Sequence, residues 1–203
     1  MLLALVHGFI LALGLILPLG VQNVFIFNQG AVQPRVMRAM PAVLTATSCD
    51  ALLILLAVAG VSVVVLSVSW LRYALFIVGV LFLLYMGWVT WRSPEDSPEK
   101  LQERAALSPK QQVVFSTSVS LLNPHAIMDT VGVIGASSLQ YEGVEKMIFT
   151  AACILVSFLW FVFLAVAGRM LKKIKPGIIP VLNKVSALFI WGSAVYMAVL
   201  FLG

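Results

Sequence analysis

The chain is expected to be an all-α integral membrane protein of six transmembrane helices. They would form two inverted three-helix repeats, with helices one and four broken near the membrane midplane. Three observations carry this expectation. Hydrophobic residues make up 62% of the chain and charged residues 10%, against about 45–50% and about 25% in a soluble domain. The apolar residues fall into six stretches near the roughly 20 residues a helix needs to cross a bilayer. The one long polar segment, Arg92 to Lys110, divides them three and three.

The first stretch, Leu2 to Phe27, is interrupted by Leu17-Pro18-Leu19-Gly20 and then by Val21-Gln22-Asn23. It is too short for two crossings, so it reads as one crossing with a defect. No Lys or Arg precedes Arg35 and no small-residue cleavage site follows the apolar run, so it is expected to be a retained helix and not a signal peptide. Met40 to Leu66 is the second span, containing Thr45, Thr47, Ser48, Cys49 and Asp50. The third, Trp70 to Trp91, carries Trp70, Tyr73, Trp88 and Trp91 near its ends, where aromatic rings sit at headgroup level. After the linker, Gln111 to Leu139, Lys146 to Gly168 and Pro180 to Leu202 form spans four to six. The domain reading is a single transporter unit: repeat one 1–91, linker 92–110, repeat two 111–203.

With six crossings, the connections after spans one, three and five share a side. They hold eleven Lys and Arg, including Arg35, Arg38, Lys110 and Arg169, against Arg72 and Lys146 on the other side. That bias puts those connections in the cytoplasm and both termini outside. It also accounts for the net charge of +5 without a nucleic-acid partner. An odd number of spans per half makes the second half enter from the opposite face, the arrangement of inverted-repeat transporters.

The fourth span contains Leu121-Leu122-Asn123-Pro124-His125-Ala126-Ile127-Met128-Asp129-Thr130. Asn is a good N-cap and Pro suits the first helical position, so a helix is expected to restart at Pro124 with a partially positive end suited to a carboxylate. Pro18 and Asn123 lie about 15–18 Å from the cytoplasmic ends of their spans at 1.5 Å per residue, and Asp50 reaches a similar depth. Asp50 and Asp129 are the only carboxylates inside the spans. Each costs about 2.5–3.5 kcal/mol to insert, which points to function. His125 and Asp129, spaced i and i+4, share a helical face.

Pro18-Leu19-Gly20-Val21-Gln22-Asn23 with Asn28-Gln29-Gly30, Ser48-Cys49-Asp50-Ala51 leading to Ala59-Gly60, and Leu122-Asn123-Pro124-His125 with Asp129-Thr130 resemble the LysE family of basic amino-acid exporters. The resemblance covers essentially the whole chain. It implies export of L-lysine and L-arginine across the bacterial inner membrane, driven by the membrane's ion gradient. The related homoserine/threonine exporters carry Pro-Gly-Pro near the first break, where this chain has Gly-Val-Gln-Asn. One departure is that Asn28-Gln29-Gly30 stands where the family has Arg-Gln-Gly, removing a cation from the inner mouth.

The expected substrate site therefore takes Asp50, Asp129, Asn123, Pro124, Gln22, Asn23, Gly20 and Pro18, with Asp50, Asp129 and His125 as proton-coupling groups. The alternative readings of these groups are plainer: a kink at Pro18 and Gly20, and helix packing by the amides. His7 is expected near the outer surface, and Cys49 and Cys153 are expected to be buried free thiols. The partners are a cationic amino acid, a coupling ion taken to be a proton, and the lipid bilayer. Gly79, Gly87, Gly132 and Gly135 allow close helix packing, inside one subunit or in a homodimer. No cofactor or enzymatic nucleophile-base pair is expected. Cys49, His125, Met128 and the two aspartates leave a divalent metal as the alternative cargo, beside another small amino acid.

Overall fold

A computed structural model describes residues 1–17, 20–60, 106–122, 127 and 130–174, together with single helical positions between 77 and 92 and between 181 and 199. Among the described residues all regular structure is helical. Helix α1 spans Leu2–Ile16 and α2 spans Val21–Val32, with their axes bent by 82°. The break has a local cause: a proline at position 18 has no N–H to return to the carbonyl four residues earlier. Each piece, at about 22 and 18 Å, is too short to cross a core of about 30 Å alone.

A 3-10 turn at Val36–Ala39 leads into α3, Met40–Val58, which starts with Pro41 in its first turn. The second span was expected to reach Leu66. The regular helix ends at Val58, where Gly60 takes a positive φ of 76° and bonds its N–H to Ala57, and residues 61–66 lie outside the described residues. Helix α4, Pro109–Leu121, begins earlier than the expected Gln111, since Ser108 and Gln111 form a reciprocal capping box with Pro109 behind it. It stops at Leu121, immediately before the Asn123-Pro124 step. A π-helical stretch, Thr130–Gly135, replaces the regular helix expected there and passes into a short turn at Ala136–Ser138. Helix α5, Gly143–Ile174, overruns the expected Lys146–Gly168 at both ends.

Among the described residues two helices, Val36–Val58 and Gly143–Leu171, are long and apolar enough to cross a membrane, and the bent α1–α2 pair makes a third when taken as one span. The protein is a multi-pass membrane protein. The stretches expected as spans three and six are described at scattered positions, where they touch. Trp191 packs its indole against Gly87, donates to the Leu84 carbonyl at 3.3 Å, and lies 5.6 Å from the Trp91 ring.

Helix α5 organises the packing. It runs in the same direction as the broken span, touching α1 where Gly8 meets Phe149 and Cys153, and α2 where Gly30 meets Ala165 and Gly168 meets Phe27. A Cβ on Gly30 would sit 2.1 Å from the Ala165 carbonyl oxygen, and one on Gly168 the same distance from that of Phe27. Backbone therefore touches backbone at this crossing, as small residues allow in membrane helices. Helices α3 and α4 also run together, Gln112 and Ser116 bonding at Ala42 and Gly135 meeting Ala57 further along.

These parallel pairs define two ends. One gathers Arg35, Arg38, Lys110 and Arg169 around a network of buried glutamines: Gln112 donates to the Arg38 and Leu107 carbonyls, Gln33 donates to Leu107, Gln29 accepts from the Leu107 N–H, and Arg169 holds the Gln33 carbonyl at 2.9 Å. The other end joins the Met1 ammonium to Glu145, and His7 to the Tyr141 hydroxyl at 2.7 Å. The core likewise has two parts. One centres on Ile26, Val43, Phe161 and Ala165, the other on Ala4, Ile54, Phe149 and Cys153.

Candidate functional site

A polar layer lies between the two apolar clusters, at the level of the helix breaks. Gly20 is the N-cap of α2 in an extended conformation, φ −86° and ψ 172°, and no side chain caps the helix behind it. Among the described residues nothing lies within 4 Å of where a Cβ on Gly20 would be. The helix thus begins with its partial positive charge bonded to no capping side chain among the described residues. Asn23, two residues inside α2, turns its amide back to donate to the Ile16 carbonyl at 2.8 Å, satisfying an acceptor that the break in α1 exposes. Gln22 projects to α4, where its Oε1 accepts from the Ser120 hydroxyl at 2.8 Å. Its Nε2 is buried and has no hydrogen-bond partner among the described residues.

Helix α3 supplies Cys49 and Asp50 to this layer. The Cys49 thiol is within hydrogen-bonding reach of Thr117 and Ser120 on α4, and the partly buried Asp50 carboxyl is within reach of the Ser157 hydroxyl on α5. Among the described residues, four helices therefore bring here a carboxylate, a helix N-terminus with no side-chain cap and an amide holding an unused donor. Such a layer can grip a small zwitterion at both ends: an anion at α2 and a cation at Asp50.

The structure thus brings Gly20, Gln22, Asn23 and Asp50 to one level. Pro18, Asn123, Pro124, His125 and Asp129 lie outside the described residues. His7 sits at the end of the bundle, where its ring also packs 5.4 Å from Phe149, away from the polar layer. Cys49 and Cys153 are buried free thiols. Gly87 and Gly135 pack within the subunit, against Trp191 and Ala57. Sequence reasoning missed Ser120 and Ser157, both buried. A signal for Ser120 was present: Gln112, Ser116 and Ser120 recur every fourth residue and so share one face of the helix.

The open cap supports a prediction. Gly20→Ser is expected to leave stability level or higher by a few tenths of a kcal/mol, because serine caps helices slightly better than glycine. Its hydroxyl would occupy the helix end, so export should fall about tenfold, roughly one good charge-assisted hydrogen bond. Gly20→Ala, which adds volume without a cap, should fall less. The check is a comparison of initial efflux rates and unfolding temperatures for the two variants.

Comparison with known proteins places this geometry in company. The model of the family described as LysE type translocator matches residues 13–200. YisU of Bacillus subtilis strain 168, provisionally named an amino-acid transporter, is 54% identical over 198 residues, covering 97% of this chain and 89% of its own length. The arginine exporter protein ArgO of Pectobacterium carotovorum is 32% identical over 196 residues, 95% of each chain. ArgO of Escherichia coli K12 is 34% identical over 167 residues, 81% of this chain and 78% of its own. No solved structure matches the chain.

Proposed function

This chain belongs to the family of LysE type translocators, and from that premise we propose that it exports cationic amino acids, arginine foremost and lysine with it, in exchange for protons. The observation that carries the reading is the polar layer in which an uncapped helix N-terminus and a membrane-embedded aspartate stand level between two apolar clusters. The ArgO relatives support arginine in particular.

In this reading the carboxylate of the substrate meets the N-terminus of α2, with Gly20 and Gln22, and the restarted helix at Asn123-Pro124. Asp50 and Asp129 take its two cationic groups. Asn23 and Pro18 keep the break open, and His125 orients or relays the proton. The full protein has six spans as two inverted three-helix repeats. The end that collects Arg35, Arg38, Lys110 and Arg169 lies in the cytoplasm of the bacterial inner membrane, and both termini lie outside.

Coupling follows from electrostatics. Moving a cation outward against an inside-negative potential costs about 2.3 kcal/mol per charge per 100 mV. A proton moving inward for each cation cancels that charge movement. An aspartate that holds either proton or substrate makes the exchange one for one. Proteoliposomes clamped with potassium and valinomycin, with a separately imposed pH gradient, test this directly. Export should respond to the pH gradient and little to voltage. Transport that follows voltage and ignores pH overturns the exchange, and counterflow of a divalent metal without arginine or lysine overturns the substrate.

A further inference from the structure

We propose that Ser120 is a positioning residue: through its bond to Gln22 it turns the Gln22 amide so that an N–H, and not a carbonyl oxygen, is presented to the substrate carboxylate. This rests on the reading of the α2 N-terminus as the carboxylate site.

Three observations carry it. Gln22 is the second residue of α2, so its side chain belongs to the helix end that the carboxylate would approach. Ser120 stands in the last turn of α4 with 1% of its surface exposed, and its hydroxyl donates to Gln22 Oε1 at 2.8 Å. Nε2 is left buried with no partner among the described residues, an arrangement native proteins rarely keep without a use for the group.

The direction of the bond decides the chemistry. An amide can turn half a revolution and offer either its oxygen or its NH₂ to a serine hydroxyl, which both donates and accepts. Turned the other way, Gln22 would leave its oxygen facing the site, and an oxygen repels a carboxylate. The hydroxyl of Ser120 donating to Oε1 holds the amide in the first of these orientations, so the pair spans α4 and α2 and ends in a donor, Nε2. Its consequence is selectivity: an amine of the same shape without a carboxylate gains nothing from that donor.

The test uses the purified full-length protein in proteoliposomes, with arginine and with agmatine, its decarboxylated counterpart. Wild type should prefer arginine. Ser120→Ala should raise the KM for arginine about fivefold, leave kcat nearly unchanged and leave agmatine unaffected. Ser120→Thr, which keeps the hydroxyl, should stay close to wild type and guards against a mere packing effect. Gln22→Ala should show the arginine defect, and adding Ser120→Ala to it should cause no further loss. If Ser120→Ala weakens both compounds equally, or its effect persists in full on top of Gln22→Ala, the positioning role is overturned. Wild type that moves agmatine as readily as arginine overturns the carboxylate reading itself, a result visible before any variant is made.

Discussion

Asp50→Asn is expected to leave the protein inserted and folded while lowering arginine export roughly a hundredfold. The expectation rests on asymmetry between the two effects of the change. Asparagine is close to isosteric and can still bond the Ser157 hydroxyl beside position 50, and a neutral amide is easier to bury in a membrane helix than a carboxylate. Stability should therefore hold or rise slightly. The substrate cation, however, loses its counter-charge in a desolvated layer, where removing one partner of a charge pair costs about 2–5 kcal/mol. Efflux from cells loaded with an arginine-containing dipeptide, beside an immunoblot of the membrane fraction, separates the outcomes. Normal efflux from an inserted variant removes Asp50 from the site, and the same assay on Asp129→Asn asks whether that acid belongs with it.

Gly30→Leu should have the opposite profile, loss of the fold rather than of the chemistry. At the crossing of α2 and α5 even a methyl group on Gly30 would fall 2.1 Å from the Ala165 oxygen and 2.7 Å from its Cα. The colliding atoms are backbone, so no side chain can move aside. Overpacking of a core by small additions costs about 1–3 kcal/mol, and here the helices must part along their length. Gly30→Leu should fail to accumulate, and Gly30→Ala should unfold at distinctly lower temperature in detergent. Gly14→Ala is the control, since nothing among the described residues lies within 4 Å of its added methyl. Equal unfolding temperatures for the two alanine variants would show that backbone does not touch backbone at this crossing.

Sequence and structure agree best where a residue's covalent nature forces the outcome. Pro18 removes a donor from a helix, and the break between Ile16 and Val21 is where it should be. Asp50 is too costly to bury without a reason, and it stands among polar neighbours. The end of α3 was not legible, since the chain stays apolar past Gly60 and hydropathy cannot see that one glycine's φ is positive. The π-helical turns at Thr130–Gly135 were equally hidden, because wider winding leaves no mark in composition. Ser120 and Ser157 escaped for another reason. Serine is cheap in a membrane helix, where it can bond its own backbone, so its presence there carries little information until a neighbour is known. The glutamine network at the basic end was likewise invisible: Gln29 and Gln33, bonded to each other one turn apart at the end of α2, meet Gln112 of α4 through the backbone of Leu107, more than 70 residues further along the chain.

The dependence of the broken span on α5 sets an order of events during synthesis. Gly8 finds its partner Cys153 145 residues later in the chain, and the Gly30–Ala165 crossing is separated by a similar distance. A ribosome adding about 5–20 residues per second needs roughly 7–30 s to supply them. For that time the first span has left the ribosome without the helix that holds its two halves, and the exposed carbonyls at the break have Asn23 but no α5 beside them. Until α5 arrives, this segment lacks the contacts that α5 makes with it at Gly8 and Gly30. Assembly of this exporter is thus gated late, by a helix whose own sequence contains none of the breaks it secures.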